Sequence, residues 1–278
     1  MAATNAQTLE LLLEVGRLLS SKLVLGELLT SVLELSTRVV DSESASLLLL
    51  DEKTQELYFD VALGLGPEAS KVRLPLGKGI AGSVAKNRAP EIINAVRQDK
   101  RWSPAMDEQS GFVTRSILAV PMLIKGRLVG VLEAINKRVG DFTEADLRAF
   151  EAFASQAAVA IENARLFTSL KEERFKLSTV FSEMTDGAAL TDSTGKILLS
   201  NEAAAKLIGT ELKELADGLN GMVVTPSINE LLTGEKPVLD FAAVRKEPTL
   251  LVLEGRVTRA PLGAEEGRLF MFRDRTES

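Results

Sequence analysis

"SILAVPMLIKGRLVGVLEAINK", residues 116–137, sets two apolar runs on either side of Lys125-Gly126. A glycine-containing pair between runs of β-branched and other apolar residues reads as an antiparallel hairpin. Pro121 brings no N–H to the ladder, so the first strand is expected to carry a bulge or an edge there. The period then changes. In "DFTEADLRAFEAFASQAAVAIENARLF", residues 141–167, Phe150, Phe153, Ala157, Ala160, Ala164 and Phe167 recur every three or four positions. Thr143 is a good N-cap, and Asp146 stands at the third helical position of a capping-box-like pattern. Leu177, Phe181 and Met184 extend the helical spacing after a register slip near residues 170–174.

The same alternation of periods continues outward. Leu9, Leu12, Leu19 and Leu23 have helical spacing, and a second helix follows through Leu28, Val32 and Val39. Residues 44–64 read as a hairpin about a polar turn at 51–55. Residues 71–76 and 89–94 read as short strands, with a glycine-flanked helix at 77–88 between them. Downstream, "GAALTDSTGKILLSN" (187–201) is a hairpin turning at Ser193-Thr194-Gly195. Residues 201–209 form a short helix closed by Gly209, and residues 250–262 and 267–275 an antiparallel pair. The expected fold class is α+β. Two domains, each a central antiparallel sheet flanked by helices, span 1–168 and 186–278, and a helical segment at 169–185 joins them.

Composition excludes much chemistry. The chain has no cysteine and no histidine. That removes disulfides, thiol nucleophiles, iron–sulfur clusters, thioether-linked bilins, imidazole haem ligation and histidine-based triads. Most zinc sites go with them, and no metal site is expected. The formal net charge is -6 with no Lys/Arg-rich run, so nucleic acid is not an expected partner. No signal peptide and no membrane-length apolar window is legible, so no membrane insertion and a cytoplasmic location are expected. The glycines at 77, 79 and 82 lack the order of a Walker loop.

Four segments carry a resemblance. "GIAGSVAKNRAPEIIN" (79–94), "GFVTRSILAVPM" (111–122), "GVLEAINK" (130–137) and the helix at 141–167 make residues 9–167 resemble a GAF domain. "GAALTDSTGKILLSNEAAAKLIG" (187–209) and the terminal "FRDRTES" make residues 175–278 resemble a PAS domain. The resemblance implies a non-catalytic sensory module of bacterial signal transduction that binds a small molecule or partner and relays the event along dimeric helices. It implies the input region of a two-component sensor histidine kinase, whose helix would leave just past Asp274 and Thr276. Two alternatives stand beside it: a stand-alone adaptor, and a cyclic-nucleotide-binding regulatory domain.

The resemblance also implies where a ligand sits, between the sheet and the irregular segments around 80–84, 94–102 and 111–116. Asn94, Arg97, Arg101, Thr114 and Arg115 supply donors there and Trp102 a stacking ring, a set suited to an anionic or purine-like ligand. The competing reading makes the arginines solvated and the tryptophan a loop anchor. Asn136, Lys137, Phe142 and Asp146 match a motif of cyclic-nucleotide-binding GAF domains whose final glutamate is here Leu147. Asp146 is also explained as a cap. Glu133 falls with Val129, Val131 and Ile135 by period two, so it reaches solvent, pairs with an arginine or lines a polar pocket. A homodimer is expected along Leu12, Leu19, Phe153, Ala157, Ala160, Ile161, Ala164 and Phe167, with a kinase or other output domain as the downstream partner. The cofactor expectation is limited to a small organic ligand or cyclic nucleotide.

Overall fold

The structure, a computed structural model, describes residues 16, 24–62, 73–104, 107, 108, 111–209, 213–263 and 265–276. The helix expected over 9–23, Gly16 aside, lies outside the described residues, and Leu12 and Leu19 with it. The chain divides into two units, Met1–Lys171 and Glu172–Ser278.

The first unit opens with helix α1 (Leu25–Val39) and the hairpin β1 (Ser42–Asp51) and β2 (Glu56–Ala62). Strand β3 (Arg73–Pro75), helix α2 (Gly79–Asn87) and strand β4 (Glu91–Ile93) follow. The hairpin β5 (Ile117–Ile124) and β6 (Arg127–Lys137) leads into helix α3 (Glu144–Glu183). The sheet is antiparallel in the order β3-β2-β1-β6-β5-β4. The expected Lys125-Gly126 turn forms, with both residues at positive φ. Pro121 pairs with Val131 of β6. On its other side β4 covers only Ile117 to Ala119, so no ladder partner needs the missing N–H. The register shifts just beyond it, between Met122 and Leu123.

Both faces of this sheet are covered, which is why β1 reads "SLLLL" rather than alternating. Leu47 and Leu49 meet Leu28 and Val32 of α1 and Phe150 and Phe153 of α3. Leu48 faces the other way, among Val84 of α2, Val96, Val131 and Trp102. Each such leucine contributes about 1.5–3 kcal/mol when fully buried. The closest approach is at Gly130, where a Cβ would lie 2.2 Å from the Leu48 carbonyl oxygen. No side chain fits against a backbone atom at that distance.

Helix α3 runs 40 residues without a break at 170–174. Its Phe153, Ala157, Ala160, Ile161 and Ala164 are buried in their own unit's core. The stripe expected to meet a second copy therefore packs against its own sheet. Phe167 is partly exposed, with the Lys171 ammonium 5.7 Å from its ring centroid.

The second unit holds the hairpin β7 (Gly187–Thr191) and β8 (Ile197–Ser200), and helices α4 (Glu202–Ile208) and α5 (Leu215–Gly218). Strand β9 (Val223–Thr225), helix α6 (Ile228–Thr233) and the strands β10 (Val238–Arg245), β11 (Leu251–Leu262) and β12 (Glu265–Asp274) complete it. The sheet order is β8-β7-β12-β11-β10-β9. Ala204, Leu215 and Leu231 of the helices pack on Phe241, Leu253, Phe270 and Phe272 of the sheet. Buried Asn201 caps α4: its side-chain oxygen accepts from Ala188 N and Ala204 N, both at 2.9 Å. Asp274 and Thr276 form a turn tied to the start of β11. Thr276 N donates to Asp274 Oδ1 (2.8 Å), and Val252 N to Thr276 Oγ1 (3.1 Å). Among the described residues no helix is long and apolar enough to cross a membrane.

Candidate functional site

The irregular chain between β4 and β5 lies beside α2 and the start of α3, and most of its polar side chains are spent holding it there. Arg101 donates from Nε to Asp99 Oδ1 (3.0 Å) and from Nη1 to Ser83 Oγ and Glu91 Oε1 (both 2.9 Å). Its Nη2 donates to Glu91 Oε2 (2.6 Å) and Asp99 Oδ2 (2.7 Å). Every N–H of the guanidinium is engaged. The pair holds the Asp99 carboxyl below its ordinary range. Asn94 makes a two-way amide pairing with the backbone of Phe142, accepting at 2.9 Å and donating at 3.1 Å. Thr114, buried, donates through N and Oγ1 to Asp107, at 2.8 and 2.6 Å.

A second knot joins β6 to α3. Asn136, fully buried and at positive φ, accepts from Arg115 N (2.7 Å) and Ser116 N (3.3 Å). It donates to Glu43 Oε2 and Val113 O, both at 2.8 Å. Arg115 closes the ring onto Glu43 (2.6 Å), and that contact leads the lowering of the Glu43 pKa. Lys137 Nζ donates to Val40 O and Asp146 Oδ1, both at 2.8 Å. Asp146 Oδ2 accepts from Thr143 N, and Asp146 N donates back to Thr143 Oγ1. The capping box and the ion pair are thus one arrangement, fastening the N-terminus of α3 to α1 and β6.

What stays open is a groove of about 470 Å³, lined by Arg97, Trp102, Pro104, Asp107, Glu108 and the 111–113 segment. Its size is in the range of small-molecule sites. Arg97 is exposed, and no ion pair holds it among the described residues. A larger groove of about 670 Å³ lies on the second unit's sheet, where the Asp240–Arg256 pair (2.7 Å) already neutralises part of its wall. The smaller one sets the indole of Trp102 beside Arg97, Asp107 and Glu108, and the larger sets Phe241 and Phe272 beside Arg273 and Glu254. Among the described residues no cluster of three or more carboxylate, histidine or cysteine side chains could hold a metal.

The model of one family, described as GAF domain, matches residues 23–162, half of the chain. The chain belongs to the GAF domain family. Its GAF fold is shared with two solved GAF domains of phosphoenolpyruvate-protein phosphotransferases. That from Acinetobacter is 24% identical with a TM-score of 0.51, covering 59% of this chain and 98% of the other. That from Coxiella burnetii is 21% identical with a TM-score of 0.52, covering 58% and 96%. Two curated relatives are more similar in sequence. A probable 3',5'-cyclic phosphodiesterase of Caenorhabditis elegans is 32% identical over 180 residues, 60% of this chain and 25% of its own length. A dual 3',5'-cyclic-AMP and -GMP phosphodiesterase 11A of Takifugu rubripes is 31% identical over 196 residues, 64% and 22%. The chain spans about a quarter of the length of these relatives.

Within the GAF domain the candidate residues separate. Trp102 and Arg97 share the open groove, whereas Asn94, Arg101, Thr114 and Arg115 hold its walls in place. Asn136, Lys137, Phe142 and Asp146 come together at the root of α3. Glu133 stands apart in the middle of β6, level with Ser46 and Ala119. It is 8% exposed and accepts from Ser46 Oγ at 2.6 Å, so it neither lies in solvent nor pairs with an arginine. Val129 packs on the opposite face from Val131, because the register shift opposite Leu128 turns the strand. The partners Glu43, Ser46, Ser83, Glu91 and Asp107 carried no signal in the sequence. Each is an ordinary polar residue until the fold sets it opposite its arginine, asparagine, glutamate or threonine.

Arg101→Met is expected to lower stability by about 2 kcal/mol, since it leaves Glu91 and Asp99 facing each other. That figure is already reduced for the partial exposure of the pair. Urea denaturation of the GAF transition reads it.

Proposed function

We propose that the GAF domain binds a cyclic nucleotide in the groove below the β4–β5 connection, and that occupancy of the groove is relayed along α3 to the second unit. The observation that carries this is one groove lined by both Trp102 and the exposed Arg97, with Glu108 on the same wall. A purine stacks on an indole, a cyclic phosphate suits a guanidinium, and a carboxylate accepts from base or ribose hydroxyl. The likeness to two cyclic phosphodiesterases supports this choice of ligand. The knot of Asn94, Asn136, Lys137 and Asp146 supports the relay, because it couples both ends of the β4–β5 connection to the first turn of α3.

The chain itself is a binding module, and turnover belongs to an output domain or partner. The second unit is read as PAS-like. The segments that carry that resemblance, the 187–201 hairpin, the Asn201-capped helix and the Asp274–Thr276 turn, all fold onto one sheet. No specific observation favours a histidine kinase over another output.

The chain has a single tryptophan, so its fluorescence reports the groove without interference. Titration with cGMP and cAMP is expected to change Trp102 emission saturably. By calorimetry Trp102→Ala is expected to weaken binding about 10- to 100-fold, the value of one lost stacking contact. No heat and no emission change with either nucleotide would remove the cyclic-nucleotide reading.

A further inference from the structure

Residues beside both hairpin turns of the first sheet, together with the end of α2, line a further groove of about 410 Å³. It shares no lining residue with the groove that holds Trp102. Its floor is Leu50, Leu76 and Leu128, which belong to or pack against the core on the α2 side of the sheet. Its rim is unevenly charged. Arg127 donates to Glu52 at 2.8 Å and to Glu162 at 2.6 Å, so the carboxylate of the lining is already neutralised. Lys86 and Arg88 are held by no ion pair among the described residues.

Neither cation is explained by its surroundings alone. A helix C-terminus favours a cation in its last turn, which accounts for Lys86 only in part. The Lys86 stem also lies against Gly77: a Cβ built on that glycine would meet Lys86 Cδ at 3.0 Å and Nζ at 3.7 Å. The ammonium is thus laid along the β3–α2 turn at the groove. Arg88 ends α2 at φ 52 and ψ 36, a left-handed conformation in which glycine or asparagine usually ends a helix. A long charged side chain at such a backbone is an outlier of the kind that marks a binding position.

We propose that this groove is a second binding site of the GAF domain, taking a small organic anion with an alkyl tail. A carboxylate or phosphate head meets Lys86 and Arg88, and the tail lies on the three leucines. The charge selects an anion, because the lining offers these two cations no counter-charge of its own. The floor selects an aliphatic tail, because it supplies no ring for a purine to stack on. The volume is in the range of small-molecule sites. This site does not depend on what fills the Trp102 groove.

Calorimetry of the full chain at low salt tests this with octanoate and mono-octyl phosphate, each below its micellar concentration. Saturable binding at a single site is expected for at least one of them, and the tighter of the two identifies the head. Acetate, inorganic phosphate and 1-octanol, which offer only the head or only the tail, are expected to bind at least about 10-fold more weakly. No saturable binding of either octyl anion, or equal binding of 1-octanol, would overturn the proposal. Arg88→Gly separates binding from folding. Glycine suits the left-handed backbone, so the melting temperature is expected to hold or rise while affinity for the octyl anion falls about 10-fold. Lys86→Gln is expected to weaken it by a similar factor. Unchanged affinity in both variants would place the anion elsewhere and overturn the site. Trp102→Ala is expected to leave octyl-anion binding intact, and a matching loss there would put both ligands in one groove and overturn the proposal as well.

Discussion

Asn136→Ala is expected to destabilise the GAF domain by about 3–5 kcal/mol, large enough to leave much of it unfolded at moderate temperature. The side chain is fully buried and makes hydrogen bonds to Arg115 N, Ser116 N, Val113 O and Glu43. Alanine satisfies none of them, and a methyl leaves too little room for waters to take over each one. The backbone adds to the loss, because residue 136 stands at φ 60, a region that asparagine tolerates better than alanine. Asn136→Asp separates the two contributions. It keeps the acceptor for the two backbone N–H groups but sets a carboxylate against Glu43, so an intermediate loss that shrinks in high salt is expected. Urea denaturation of the full chain at low and high salt, followed at Trp102, reads the GAF transition directly. A loss below about 1 kcal/mol for the alanine variant would mean that the knot is dispensable, and with it the coupling of the β4–β5 connection to α3.

Elements with local punctuation are legible in the sequence. The Lys125-Gly126 turn, the Thr143 cap and the Asn201 cap each place a residue type where its own backbone neighbours need it. The sheet order is not legible that way, since β1 and β6 pair across more than eighty residues of chain. Helix α3 bears two apolar rows, one buried and one exposed, and shows a subtler limit. Both have three- and four-residue spacing, so spacing alone does not say which row meets the sheet. Width does. The inner row includes the adjacent pairs Phe153-Ala154 and Ala157-Ala158, all buried, and is broad enough to lie on a flat surface. The outer row has single leucines and valines, and its leucines at 166, 170 and 177 each adjoin a lysine or arginine. The candidate binding residues are legible as a group because the resemblance marks their segments. Which of them stay open to a ligand depends on Asp99 and Glu91 reaching Arg101, and on Asp107 reaching Thr114. Such pairings are set by loop paths, which carry no periodicity.

Glu133→Gln is expected to stabilise the GAF domain in mildly alkaline buffer, and to change it by almost nothing near pH 4. Burial pushes the Glu133 carboxyl above its ordinary value of 4.5, and the hydrogen bond from Ser46 opposes this only in part. Below 4.5 the acid is protonated in both states, and folding is indifferent to it. As pH rises the unfolded chain ionises first while the folded chain keeps its proton. The folded state then binds more protons, so stability falls with pH until the folded carboxyl ionises, after which the loss stays constant. Each unit of separation between the two values costs about 1.4 kcal/mol. The carboxyls of Glu43, Asp99 and Asp146 are shifted downward, so they act in the opposite sense, losing stability as pH falls. Their contribution cancels when the two proteins are compared at the same pH. Urea midpoints of the parent and Glu133→Gln at a series of pH values should therefore start together in acid and diverge upward. Parallel curves offset by a constant would show that the carboxyl titrates alike in the folded and unfolded chain, and would overturn the upward shift. Convergence on the addition of a ligand would place Glu133 in reach of the bound molecule, since a donor from the ligand would relieve the ionised carboxylate that the protein alone leaves with a single serine.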